Sequence, residues 1–230
     1  MYFDQIVSDS ALRGLHKALA GQGLLAHKEA VMRLPQPEVI GRVPLEKTIK
    51  NRRTIRSFAS RGITLKDFSQ ILWAAQGIIE QGGFRRSVPS GGALYPIDVY
   101  AVVGEGGVDE IESGVYRYEP GSHEITLVKE GDLRRELAKA ALGQMWMGSA
   151  PVNLIITAEY SRSSSKYGER GVRYSMIEAG HVGQNVFLQA EALGLGAGIV
   201  GAFNDREVIW VAKLAQGHEP LLIMPVGYKK

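Results

Sequence analysis

The chain has 230 residues, of which 28 are glycine and none is cysteine; 45% are hydrophobic, 22% are charged, and the formal net charge is +3. This is ordinary globular composition, which excludes a disordered chain, while glycine above the usual ~7% calls for tight turns or close backbone approach to a ligand. Without cysteine there is no disulfide, thiolate nucleophile, Fe–S cluster or cysteine-ligated zinc.

The opening Met1-Tyr2-Phe3-Asp4-Gln5 lacks the basic and apolar regions of a secretory signal. The run Leu221-Leu222-Ile223-Met224 is stopped by Pro225, far short of a bilayer span. The expectation is a cytoplasmic protein with no membrane partner. Residues 10–32 are expected to form an amphipathic helix capped by Ser10, with Leu12, Leu15, Ala18 and Leu19 on its apolar face. Leu34-Pro35-Gln36-Pro37 then begins an extended connection that most simply crosses the surface. Residues 1–42 are thus an N-terminal helix and arm, and residues 43–230 one domain.

Between Lys47 and Lys66 stand seven basic residues and no acid, a patch that wants an anion. Its centre, Arg52-Arg53-Thr54-Ile55-Arg56-Ser57-Phe58, offers three guanidiniums and two hydroxyls, donors that suit a phosphate. If the segment is extended, Arg52, Thr54 and Arg56 point the same way. A solvated basic face is the plainer explanation of charge alone. Nucleic-acid binding would need interleaved aromatics for stacking, and only Phe58 is near, so no nucleic-acid partner is expected.

Thr64-Leu65-Lys66-Asp67 has the form of a capping box. The helix behind it buries Leu65, Phe68, Ile71, Leu72, Ala75 and Ile78 and ends near Gly77. Pro89-Ser90-Gly91-Gly92-Ala93-Leu94-Tyr95-Pro96 leads into a strand over 97–103. Its paired glycines are either an ordinary loop or a place where backbone amides approach a flat or anionic ligand. Gly114–Tyr118 and Glu124–Val128 flank Pro120-Gly121 as a hairpin. Asp132 caps a helix to about Met145, and Val152–Ala158 reads as a buried strand.

The polar stretch Glu159–Arg173 is expected to be a surface loop; its functional alternative is a lid in which Lys166 and Tyr167 could move a proton. A long helix follows from Tyr174 to Leu193, closed by Gly194. Gly194–Phe203 is a glycine-rich segment in the wrong order for a dinucleotide loop. A helix from Asp205, ending by Gly217, and a strand over 221–228 complete the chain. Glu178 and His181 share a helix face; they are too few ligands for a metal, so no metal site is expected and a buried hydrogen-bonded pair is. Intermixed helices and strands with a clear hairpin indicate α+β architecture.

Taken in order, Arg52–Phe58, Ile71–Gly77, Pro89–Pro96, Gly114–Tyr118, Lys166–Gly171, Glu178–His181 and Gly194–Phe203 resemble the FMN-dependent nitroreductase superfamily, and within it the SagB-type dehydrogenases related to oxidases of azoline-bearing peptides. The resemblance covers about residues 43–228. It implies a mixed α+β sandwich, a central, mostly antiparallel sheet flanked by helices, and a homodimer that buries two FMN molecules at its interface. It also implies that Arg52, Arg53, Thr54 and Arg56 hold the flavin phosphate and ribityl chain. Pro89, Ser90, Gly91 and Gly92 would line the ring, and the backbone of Val200, Gly201 and Ala202 would approach its reactive edge. Lys166 and Tyr167 stand where the peptide oxidases keep their proton-removing pair. Two departures from simple nitroreductases are Ala93, where many have Asn, and a chain that stops at Lys229-Lys230.

The resemblance therefore implies an FMN oxidoreductase passing hydride between flavin and a small or peptide-derived substrate. NAD(P)H is a candidate electron donor and a cyclodehydratase a candidate partner. The alternative is a flavin- or nucleotide-binding module without turnover.

Overall fold

The computed structural model describes residues 31–80 and 82–230. The helix expected over residues 10–32 lies outside these except at Val31 and Met32, which are in a strand. Among the described residues seven strands form one sheet: β1 (Val31–Arg33), β2 (Ile97–Val103), β3 (Gly114–Glu119), β4 (Glu124–Glu130), β5 (Val152–Ala158), β6 (Leu195–Ala197) and β7 (Glu219–Tyr228). Their order is β1-β4-β3-β2-β5-β7-β6, and every neighbouring pair is antiparallel. The helices are α1 (Leu45–Asn51), α2 (Leu65–Gln76), α3 (Arg134–Ala140), α4 (Tyr160–Tyr167), α5 (Glu169–Ala192) and α6 (Asp205–Ala212). The α+β fold with an antiparallel sheet between helices is as expected.

The pleat of β2 explains the layering. Ile97, Val99, Ala101 and Val103 face a core shared with α2 and α5. Tyr100 and Val102 face the opposite core, built with Leu137 and Ala138 of α3 and Val208 and Val211 of α6. Both faces are covered, so β2 and β5 are buried along their whole length and read as near-continuous apolar runs. The α2 boundaries follow local chemistry. Thr64 Oγ1 accepts from the Asp67 N–H at 3.0 Å, and Gly77 ends the helix.

Residues 34–38 are docked along the domain. Leu34 is buried and its N–H donates to His123 O, while Ser69 Oγ donates to Pro35 O at 2.6 Å. Three expectations need correction. The helix after Asp132 stops at Ala140, because Leu142 and Gly143 take left-handed backbone before a 3-10 turn over Met145–Ser149. The polar stretch 159–173 is two helices, α4 and the first turns of α5, separated at Gly168. Serine competes with helix in isolation, but here Ser163, Ser164 and Ser165 turn their hydroxyls onto carbonyls of their own helix. The long helix consequently begins at Glu169, five residues before the expected Tyr174.

Candidate active site

The anion-seeking segment runs extended beside β6. Thr54 bridges Ala197 in parallel, and the Ile55 N–H donates to Ala197 O at 2.8 Å. Glycine makes this approach possible, since a β-carbon at Gly196 would lie 2.7 Å from Ile55 and one at Gly198 2.8 Å from its carbonyl. The Arg52 guanidinium lies over the Phe187 ring at 5.0 Å, and that of Arg56 lies 5.9 Å from the Trp146 ring. Arg53 is exposed and donates to Asn51 O. Among the described residues none of the three is ion-paired, so three guanidiniums lie along one short segment without a carboxylate. Val200 is buried and pairs with Ile223 of β7, but Gly201 and Ala202 are exposed. The 144–146 turn links the arginine segment to the Val200–Ala202 backbone, because Trp146 meets Arg56 and Gln144 Nε2 donates to Ala202 O.

A second group forms around the glycine turn. Ser90–Ala93 makes a 3-10 turn in which Gly92 has φ +66°; Ala93 and Tyr95 also take positive φ. Lys166 and Tyr167, at the end of α4, lie directly on it: a β-carbon at Gly92 would meet Tyr167 Oη at 2.6 Å and Lys166 Nζ at 3.2 Å. Tyr167 packs edge-on against Tyr174 of α5, with ring centroids 5.2 Å apart, and Lys166 Nζ lies 5.3 Å from the Tyr167 ring centroid. Pro89, Gly91 and Gly92 are exposed. Ser90 is different: its Oγ accepts from the Tyr95 N–H at 2.9 Å, so its hydroxyl is turned onto the backbone of its own turn.

The expected pairing of Glu178 with His181 does not form. His181 is exposed, whereas Glu178 is 2% exposed and accepts from Gln76 Nε2 at 3.3 Å. Three residues along α5 leave the two side chains about 60° apart, enough to put Glu178 on the buried stripe and His181 just outside it. Burial pushes the Glu178 carboxyl above its ordinary value, against the lowering effects of Ser90, Gln76 and the charge of Arg86.

A polar network that residue spacing did not disclose anchors α4. Arg162 Nη2 sits 2.8 Å from Asp98 Oδ2 and 2.6 Å from Glu159 Oε2, and Arg162 Nη1 donates to Tyr95 O. Asp98, Glu159 and His218 bring three ligand-type atoms within 4.8 Å of one another. Arg162 and Arg117 already neutralise those carboxylates, which makes the cluster an ion-pair network. The signal was Asp98 itself, a charge inside an apolar strand that must find partners.

The first group fits a phosphate-bearing cofactor such as FMN: unpaired guanidiniums, a hydroxyl, and exposed backbone at Gly201 and Ala202 close by. Along α5 the two groups are distant. Tyr174 lies under the glycine turn and Phe187 under Arg52, 13 residues or roughly 20 Å of helix apart.

Residues 49–228 match the model of the nitroreductase family. MJ1384 of Methanocaldococcus jannaschii, named as a nitroreductase, is 45% identical over 190 residues, which is 83% of this chain and 93% of that protein. The microcin B17-processing protein McbC of Escherichia coli is 27% identical over 72% of this chain, a match spanning 62% of McbC. Among solved structures, a Ralstonia eutropha JMP134 protein titled a nitroreductase superposes with a TM-score of 0.76 at 31% identity, covering 88% of this chain and 90% of that one. Among the described residues no helix is long and apolar enough to cross a membrane.

Proposed function

This chain belongs to the nitroreductase family of oxidoreductases, and from that premise we propose that it is an FMN-dependent dehydrogenase of the SagB type, oxidising a peptide-derived azoline. The observation that carries the reading is the seating of Lys166 and Tyr167 on the Gly91-Gly92 turn, which puts a primary amine and a phenol beside backbone open to a flat ligand. The name of McbC, a peptide-processing protein, supports the same substrate class.

In this reading Arg52, Arg53, Thr54 and Arg56 hold the phosphate and ribityl chain, because guanidiniums give an anion paired donors and Thr54 adds a neutral one. Backbone at Val200, Gly201 and Ala202 lies along the reactive edge of the ring, and Pro89, Ser90, Gly91 and Gly92 cover its other side. Ser90 contributes backbone, since its hydroxyl oxygen is engaged by the Tyr95 N–H. When bound, FMN supplies a two-electron acceptor for hydride. Lys166 and Tyr167 take the proton that leaves the azoline ring, a step placed at Lys166 Nζ or Tyr167 Oη. Arg162 holds α4, and with it the pair, against Tyr95 and Asp98.

The functional unit is a homodimer. The ~20 Å of helix between the two residue groups favours a ligand that takes its phosphate grip from one copy and its glycine turn from the other. Exposed apolar side chains favour a covered surface: Met176 and Ile177 on α5, and Val39, Ile40, Leu45 and Ile79 around a groove of 740 Å³ beside α1, α2 and α5. An azoline substrate must first be made by cyclodehydration, so a cyclodehydratase is the proposed partner. NAD(P)H is the proposed donor where the flavin is reduced without a peptide.

The test is the visible spectrum of the purified protein and its response to substrate. A yellow protein whose flavin bleaches anaerobically with an azoline-bearing peptide, and recovers in air, supports the reading. A protein that neither retains nor rebinds FMN overturns it, and bound flavin that no substrate or NAD(P)H can bleach indicates a binding module.

A further inference from the structure

We propose that Asp98 is a positioning residue for the Lys166–Tyr167 pair, acting through the guanidinium of Arg162. This rests on the reading above that the pair moves the substrate proton, and it adds what sets the pair's place. Asp98 is the second residue of β2, three residues beyond Tyr95, where the left-handed backbone of the glycine turn ends. It stands opposite Thr157 in the β2–β5 ladder with its side chain 8% exposed, a charge fixed on a fully paired strand beside the turn. A carboxylate buried there needs a counter-charge. Arg162 Nη2 lies 2.8 Å from Asp98 Oδ2, whereas Arg117 Nη2 stays 3.6 Å from Oδ1.

The other arm of the guanidinium sets the geometry. Arg162 Nη1 donates to Tyr95 O at 3.1 Å, the carbonyl of a non-glycine residue held at φ +47°. The Asp98 contact is an ion pair without an aligned N–H, so charge keeps the guanidinium inward and the Tyr95 bond gives it direction. Glu159 Oε2 also pairs with Arg162, but that carboxylate belongs to the start of the same helix and cannot tie it to another element. Helix α4 runs back along the turn. The Glu159 N–H donates to Pro96 O at 2.8 Å, Arg162 reaches Tyr95, and Lys166 and Tyr167 reach Gly92. Arg162 and Lys166, four residues apart, share one helix face. Ser163 fastens α4 to α5 through Gly171 O and Ser175 Oγ, whereas Arg162 fastens it to the turn. Arginine suits this place because the point charge of a lysine cannot meet Tyr95 O and Asp98 together.

The test is a double-mutant cycle on Asp98→Asn and Arg162→Ala, with Arg162→Lys as the conservative variant. It is read by kcat and KM for an azoline-bearing peptide and, in the purified protein without substrate, by the nuclear Overhauser contact between the Tyr167 ring and the Gly92 α-protons. Each single variant is expected to lower kcat about 10- to 100-fold, the range for a misplaced reacting group, with KM near wild type and the Tyr167–Gly92 contact weakened. Arg162→Lys keeps the charge beside Asp98 but loses the arm on Tyr95, so its kcat should fall between wild type and Arg162→Ala. The double variant should be no slower than Arg162→Ala, because both changes cut one link. Wild-type kcat in Asp98→Asn, effects that multiply in the double variant, or an undiminished Tyr167–Gly92 contact in Arg162→Ala would overturn the assignment. Should Arg162→Ala fail to fold, Asp98→Asn and Arg162→Lys decide by the same two readouts. If wild type oxidises no azoline, the dehydrogenase reading fails, and the Overhauser contact alone still decides whether Asp98 sets the pair through Arg162.

Discussion

Tyr167 and Gly92 are in contact at a distance that admits no β-carbon: one at position 92 would lie 2.6 Å from the tyrosine hydroxyl. The same glycine has φ +66°, where alanine costs roughly 1–2 kcal/mol. Gly92→Ala is therefore expected to lower the melting temperature by about 2–8 °C and to weaken FMN more than stability alone explains, since Tyr167 or the turn must move. Adding Tyr167→Phe removes the closest atom and leaves contacts of 3.2 Å to Lys166 Nζ and 3.3 Å to the ring. The double variant should then regain part of the affinity. Equal FMN affinity in wild type and Gly92→Ala would show that the turn does not border the cofactor.

Lys166 and Tyr167 make a second prediction that separates proton transfer from flavin binding. Lys166→Ala and Tyr167→Phe should keep their flavin spectrum but lose azoline oxidation by about 10²- to 10⁴-fold, the usual worth of a positioned acid or base. Reduction of a nitroaromatic by NAD(P)H should survive, because that acceptor needs no proton taken from carbon. Steady-state assays of both reactions on each variant check this. Unchanged azoline turnover removes the pair from the mechanism.

The parts of the fold that sequence made legible are those set by local or continuous patterns. The apolar runs of β2 and β5 announce strands covered on both faces, and Thr64 with Asp67 marks the start of α2 through one short hydrogen bond. What escaped depends on distant partners. Glu178 bonds Gln76, 102 residues away, so its neighbour His181 was a misleading candidate. An acid on the same stripe as Ala179 and Val182 was the available clue that a buried partner existed. Serine-rich α4 failed as a helix on propensity because its support is tertiary: Ser163 Oγ meets Ser175 Oγ at 2.9 Å, and Gly171 lets the two helices close.

Acid should loosen the docked segment at residues 34–38 through His123. Its Nε2 lies 2.9 Å from Pro35 O and its Nδ1 2.8 Å from Tyr118 Oη, so the neutral ring donates to Pro35 and accepts from Tyr118. Burial lowers the His123 pKa from 6.5, against the raising effect of the Pro35 bond. The unfolded chain then binds more protons in the window just below 6.5. Stability is fully present above that value and is lost as pH falls through the folded value. His218, lowered by burial too, adds to the slope, so the measurement is a difference. Melting temperatures between pH 8 and 5 should fall less steeply for His123→Gln than for wild type. Identical slopes would mean that His123 does not titrate on unfolding.

A site shared between copies makes a prediction that needs no knowledge of the substrate. On the proposed reading, Arg52 and Arg56 hold the phosphate in one chain, while the Gly92 turn that meets the same flavin belongs to the other. A chain carrying Arg52→Ala and Arg56→Ala should lose FMN as a homodimer, and so should a chain carrying Gly92→Val. In the mixed dimer, one site collects both defects. The other takes intact arginines from the glycine variant and an intact turn from the arginine variant. Two-tag purification of the mixed species should then recover about one FMN per two chains, half the wild-type content, read from the 450 nm region after denaturation. If each chain built its own complete site, every site in the mixed dimer would carry one defect and the preparation would be as colourless as its parents. Failure of the two tags to co-purify would remove the homodimer itself. Recovered flavin distinguishes the shared site from both, because only complementation across the interface can restore it.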